Sequence, residues 1–284
     1  MHQPSTVKLT GAQDVTLVGE AWGDARQPPA ILLHGGGQTR YAWGGTARAL
    51  AHAGWYVLSL DLRGHGDSAW APDGDYSMDA FAADVAAVAA SFDVRPVAVG
   101  ASLGGIASLI AETDAESGLF AALVLVDIAP RMEPEGVQRI VGFMGENLAE
   151  GFASLEEAAD AIAAYMPHRP RPKDLSGLQK NLRVGTDSRY RWHWDPLFVT
   201  GERPPGASRD PERLVHAARK LRLPTMLVRG RMSDICSEES AREFLALAPH
   251  ARYVDVADAS HMVAGDRNDV FTRAVVDFLE ELKD

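Results

Sequence analysis

The sequence predicts an α/β protein, a largely parallel sheet with helices covering both faces. Three observations lead there. Short apolar runs at residues 30–33, 56–60, 96–99 and 122–126 are bounded by glycine, proline or aspartate, and their unbroken apolar character fits strands buried on both faces. Helical spacing lies between them, around 49–51, in the alanine-rich stretch 78–92 and at 105–111, supplying the crossovers that parallel pairing requires. The same alternation returns after Pro224, with strands expected at 225–228 and 251–256 and helices at 237–247 and 270–282.

From 131 to 223 the strand-like runs vanish. Helical segments at 137–148 and 155–165 give way to a proline- and arginine-rich stretch, which reads as a helical cap inserted into the α/β core. The expected division is a core of 1–130 and 224–284 with a cap at 131–223. One domain with an insertion suits the 284 residues better than two small domains.

Composition narrows the function. With 28 basic against 39 acidic side chains the net charge is −11, which opposes broad attraction to nucleic acid or anionic lipid. A single cysteine, Cys236, excludes an internal disulfide and leaves too few thiolates for a structural zinc site; it reads as a packed free thiol. The N-terminus shows no basic start followed by an apolar stretch, and the longest purely apolar run, 119–126, is too short to span a bilayer. A cytoplasmic location without membrane contact is expected. No HExxH, paired-cysteine or Walker pattern occurs, so neither metal nor cofactor is expected.

The chemistry is carried by Gly100-Ala101-Ser102-Leu103-Gly104, between an expected strand and an expected helix. In that context G-x-S-x-G lifts a serine hydroxyl onto a sharp bend above the sheet; the plain alternative is a serine that merely caps the helix. A serine nucleophile needs an imidazole base, and the base an orienting carboxylate. His261 follows the strand 251–256, and Asp234 follows the strand 225–228, so the order serine, acid, histidine is met with each residue after a different strand's carboxyl end. Asp127, ending the run 122–126, is the alternative acid. His34-Gly35-Gly36-Gly37 follows the strand 30–33, and its glycines let backbone N–H groups face a developing oxyanion. The expected donors are Gly36 or Gly37 together with Leu103, and His34 is expected to orient this loop.

The chain resembles α/β-hydrolase-fold enzymes of the capped esterase, haloperoxidase and epoxide-hydrolase-like group. The residues that carry the resemblance are His34 to Gly37, Asp61-Leu62-Arg63-Gly64-His65-Gly66-Asp67-Ser68 and the turn around Ser102, with Asp234 and His261 at the family's acid and base positions. The resemblance implies a mostly parallel eight-stranded sheet flanked by helices, an inserted helical cap over the site, and metal-free hydrolysis. It treats Asp61 to Ser68 as a structural turn, against a superficial match of Gly64 to Ala69 to a dinucleotide fingerprint.

Serine at 102, where related epoxide hydrolases and dehalogenases carry aspartate, favours attack on an activated carbonyl. The expected reaction is therefore cleavage of a small-molecule ester, thioester or lactone through an acyl-enzyme. A cofactor-free perhydrolase or haloperoxidase, a C–C bond hydrolase, and a non-catalytic ligand-binding protein of the same fold are the alternatives. Substrate contacts are sought at Trp43, Phe143, Met144, Trp192, Trp194, Phe198 and Met262. The stretch 166–222 carries 13 basic against 6 acidic residues, so an anionic substrate held by a bidentate arginine is considered.

Overall fold

The computed structural model describes residues 3–167, 171, 173–207, 210–261 and 268–283. Eight strands form one sheet: β1 (Ser5–Thr10), β2 (Thr16–Trp22), β3 (Pro29–Leu33), β4 (Tyr56–Leu60), β5 (Val97–Ala101), β6 (Ala122–Val126), β9 (Thr225–Gly230) and β10 (Arg252–Val256). Their spatial order is β1-β2-β4-β3-β5-β6-β9-β10. The β1–β2 and β2–β4 pairs are antiparallel and all the others parallel.

The apolar runs are unbroken because both faces of the sheet are buried. Alternate residues of β3 and β6 divide between two clusters: Ile31, Leu33, Leu123 and Leu125 face one side, Ala30, Leu32, Ala122, Val124 and Val126 the other. On the first side pack α2 (Met78–Ala89), α3 (Leu103–Asp114), α7 (Pro211–Lys220) and α8 (Glu238–Leu247); on the second, α1 (Gly44–His52) and α9 (Asn268–Glu280). Ser77, Asp210 and Ser237 accept backbone N–H bonds at the starts of α2, α7 and α8, satisfying donors that a first helical turn leaves unpaired.

Above the sheet stand α4 (Pro134–Gly145), α5 (Leu155–Tyr165), the short hairpin of β7 (Leu182–Val184) and β8 (Tyr190–Trp192), and the single turn α6 (Leu197–Thr200). Two features differ from the sequence reading. The cap contains a β-hairpin, not helices alone. The helix α7, counted with the insertion, lies in the core layer: Leu214, Val215, Ala217 and Ala218 are buried, and Arg213 bridges Asp79 of α2 and Asp114 of α3.

Reversal of the chain's direction of travel across the sheet fixes where a site can form. From β3 the order runs outward to β4, and from β5 it runs the other way to β6. The loops after β3 and β5 therefore flank the point at the carboxyl ends of the strands where the order reverses, the place at which open α/β sheets bind ligands. Those loops are the glycine segment after Leu33 and the Ser102 turn.

Candidate active site

Ser102 sits between β5 and α3 with φ 44° and ψ −111°, a strained conformation for a side-chain-bearing residue. Its side chain makes no capping bond to the helix, which removes the plain reading of a capping serine. The glycines around it permit close approach: a Cβ on Gly104 would lie 2.5 Å from the Leu33 carbonyl oxygen, and one on Gly100 2.6 Å from the Gly104 carbonyl. The turn can therefore be this tight only with glycine at both positions.

The acid partner of His261 is Asp127, not Asp234. Asp127 follows β6, also at positive φ (52°), and its Oδ2 lies 2.7 Å from His261 Nδ1. The buried carboxylate also accepts the Gly230 N–H (2.8 Å) and the Ser233 hydroxyl (2.5 Å). Ser233 explains the correction. Its Oγ accepts the N–H groups of Ile235 and Cys236, so the turn after β9 winds around that hydroxyl and directs Ser233 inward. Asp234 points away, forming an ion pair with Arg139 of α4. With Nδ1–H donated to Asp127, His261 leaves Nε2 as a proton acceptor.

Of the two candidate glycine donors, Gly36 is the one left open. The Gly37 N–H donates to His65 Nε2 at 3.1 Å, whereas the N–H groups of Gly36 and of Leu103, first residue of α3, have no partner among the described residues. Gly36 and Leu103 thus offer two backbone donors beside Ser102, the composition of an oxyanion-binding pocket.

Buried imidazoles hold this loop. His34 donates from Nδ1 to the Gly35 carbonyl (2.8 Å) and accepts the Leu62 N–H at Nε2 (3.0 Å). His65 donates from Nδ1 to the Arg63 carbonyl (2.9 Å) and accepts from Gly37. His193, after β8, accepts the Gly66 N–H at Nδ1 (2.8 Å) and donates from Nε2 to the Gly37 carbonyl (3.2 Å). Burial pushes the pKa of all three down to about 3, so each is neutral with one nitrogen donating and one accepting. Neither His65 nor His193 was among the expected site residues. The segment from Asp61 to Ser68 is a platform: Asp61 pairs with Arg40 and Arg63 with Asp84, all buried, and the segment continues into no helix that could receive a pyrophosphate.

Met144, Trp194 and Phe198 wall the glycine loop. A Cβ on Gly37 would meet Met144 Cε at 3.2 Å and Trp194 Cζ3 at 3.4 Å, and one on Gly36 would meet Phe198 at 3.5 Å. Trp192 stacks on Trp194 (4.9 Å) and Phe143 on Tyr165 (4.2 Å), forming the cap's interior. Trp43 is on the wrong side of the sheet for substrate: it is buried under α1 against Phe271 of α9. Met262 lies outside the described residues. In the basic stretch, Arg171, Arg191, Arg203 and Arg213 pair with carboxylates, and Arg183 and Arg189 donate to backbone carbonyls. Cys236 is buried and its thiol is pushed up to about 12 by burial, an inert packed residue.

Known proteins are similar to this chain. A family model described as alpha/beta hydrolase fold matches residues 28–267. "Esterase Rv0045c" of Mycobacterium tuberculosis is 30% identical over 93% of this chain and 85% of its own. A non-heme chloroperoxidase of Burkholderia pyrrocinia is 32% identical over 68% of this chain and 73% of its own. The crystal structure of E-2-(acetamidomethylene)succinate hydrolase superposes with a TM-score of 0.84 over 98% of this chain and all of that one, at 20% identity. With the matched segment running from the start of β3 to beyond His261, the chain belongs to the α/β hydrolase fold family.

Proposed function

We propose that this hydrolase is a serine esterase that cleaves small neutral carboxylic esters through an acyl-enzyme. The Asp127–His261 hydrogen bond carries the reading: it orients the imidazole in the tautomer that accepts a proton, after a strand neighbouring the one that ends at strained Ser102. In this scheme Ser102 attacks the carbonyl while His261 takes its proton, and the N–H groups of Gly36 and Leu103 receive the oxyanion. His261 then returns the proton to the leaving alcohol and activates the water that releases the acid. The apolar wall of Met144, Trp194 and Phe198 supports an uncharged acyl or alcohol group. The esterase relative supports the bond class. Replacing Ser102 with alanine is expected to abolish hydrolysis of p-nitrophenyl esters and labelling by a fluorophosphonate, with the fold retained; residual activity near that of the parent would refute the scheme.

Similarity to a chloroperoxidase favours one second reading, peracid formation from a carboxylic acid and hydrogen peroxide on the same residues. Ester hydrolysis in the absence of peroxide, at a rate exceeding peroxide-dependent bromination, separates the two.

A further inference from the structure

The geometry points to His193 as the positioning residue through which the cap sets the oxyanion donor of the core. This rests on the reading that Gly36 and Leu103 supply the two donors.

Three consecutive glycines have little intrinsic rigidity, yet an oxyanion pocket works only if its N–H groups are held in place before the charge develops. The loop's rigidity must therefore come from outside. Successive backbone groups are gripped in turn: the Gly35 carbonyl by His34, the Gly37 N–H by His65 and the Gly37 carbonyl by His193. The first two histidines belong to the core, and the third comes from the cap. The single His193 ring bridges the glycine loop and the Asp61–Ser68 turn, because its other nitrogen accepts the Gly66 N–H.

The cap is anchored where this ring enters. The Asp195 N–H donates to the Gly64 carbonyl at 2.9 Å, the Asp195 carboxylate accepts the buried Tyr76 hydroxyl at 2.6 Å, and Arg183 donates to the Gly66 carbonyl. Met144, Trp194 and Phe198 also touch the loop, but they are apolar contacts with no hold on the direction of an N–H. The cap thus does more than wall the substrate. Docking of the segment after β8 completes the hydrogen bonding of the loop that receives the oxyanion, so the transition-state site is assembled only with the cap seated.

Two substitutions separate this role from simple packing. In His193→Asn the amide reaches the position of Nδ1 and keeps the Gly66 bond while leaving the Gly37 carbonyl without its donor; in His193→Gln the amide reaches the position of Nε2 and restores that donor. On the full-length protein with p-nitrophenyl acetate, His193→Asn is expected to lower kcat by about tenfold or more, with KM within about threefold. Affinity for an alkyl trifluoromethyl ketone, which forms a tetrahedral oxyanion, falls in parallel, and His193→Gln recovers most of both. Unchanged kcat and ketone affinity in His193→Asn, or equal losses in the two variants that track their thermal midpoints, would overturn the role. If His193→Asn does not fold, His193→Leu, which fills the site without either hydrogen bond, takes its place: the same kcat loss is expected, and unaltered kinetics there would overturn the proposal. Fluorophosphonate labelling of the unmodified protein distinguishes the two failures. Without labelling at Ser102 the esterase reading itself falls; labelling together with an unaffected His193→Asn removes only the role of His193.

Discussion

Burial of His34, His65 and His193 as neutral rings has a consequence for stability. Their pKa values are depressed in the folded state, so between the unfolded value near 6.5 and the folded value of about 3 the unfolded chain binds more protons. Stability is therefore complete above about 6.5 and falls as pH drops through this window. Asp61 and Asp84, pushed up chiefly by burial, act in the opposite sense. The denaturation midpoint is expected to decline from pH 7 to 5, with a shallower slope in His65→Gln; equal slopes would show that His65 is not held neutral. At this scale the candidate nucleophile and base, Ser102 and His261, could be picked out because their loops follow recognisable strands. The carboxylate beside His261 was expected to be Asp234, with Asp127 the alternative; the direction of Asp234 is decided by the Ser233 hydroxyl, which no spacing rule reports. His193 was invisible for a related reason: its partner Gly37 lies 156 residues away.

Among the elements, the sequence announced those whose burial is two-sided. The strands β3 to β6, β9 and β10 fall within a residue or two of the apolar runs, since each is packed on both faces or pairs with one that is. β1 was not legible: it is an edge strand alternating between exposed and half-buried positions, and three-residue strands such as β7 and β8 carry too few residues for any period to show. Two ion pairs tie elements together with different expected weights. Arg63 on the turn after β4 meets Asp84 of α2 with both side chains buried, whereas Arg139 of α4 meets Asp234 with the arginine mostly exposed. Removing one partner of a buried pair strands a charge and costs about 3–5 kcal/mol; an exposed pair is worth about 0–1 kcal/mol. Urea titration is therefore expected to show a large midpoint loss for Arg63→Ala and a small one for Arg139→Ala. Similar losses would mean that burial does not govern the two contacts.

Across the whole molecule, the acidity of the chain and the basic stretch of its cap resolve into separate roles. The arginines of that stretch serve mainly as struts to the core and to one another's loops, and the side chains nearest the Cβ positions of Gly36 and Gly37 are the apolar Met144, Trp194 and Phe198. Methyl adipate p-nitrophenyl ester is therefore expected to be a better substrate than the corresponding free acid; a preference for the acid would return an arginine to the site. The proposed chemistry depends on which carboxylate orients His261, because that contact fixes both the proton acceptor and the outward role of Asp234. The most direct measurement is kcat/KM for Asp127→Asn beside Asp234→Asn on one p-nitrophenyl ester. Loss of the orienting carboxylate costs about 10⁴-fold in related chemistry, so Asp127→Asn is expected to fall by roughly that factor while Asp234→Asn stays within about threefold of the parent, an exposed ion pair being worth about 0–1 kcal/mol. The reverse order, with Asp234→Asn crippled and Asp127→Asn active, would contradict the account.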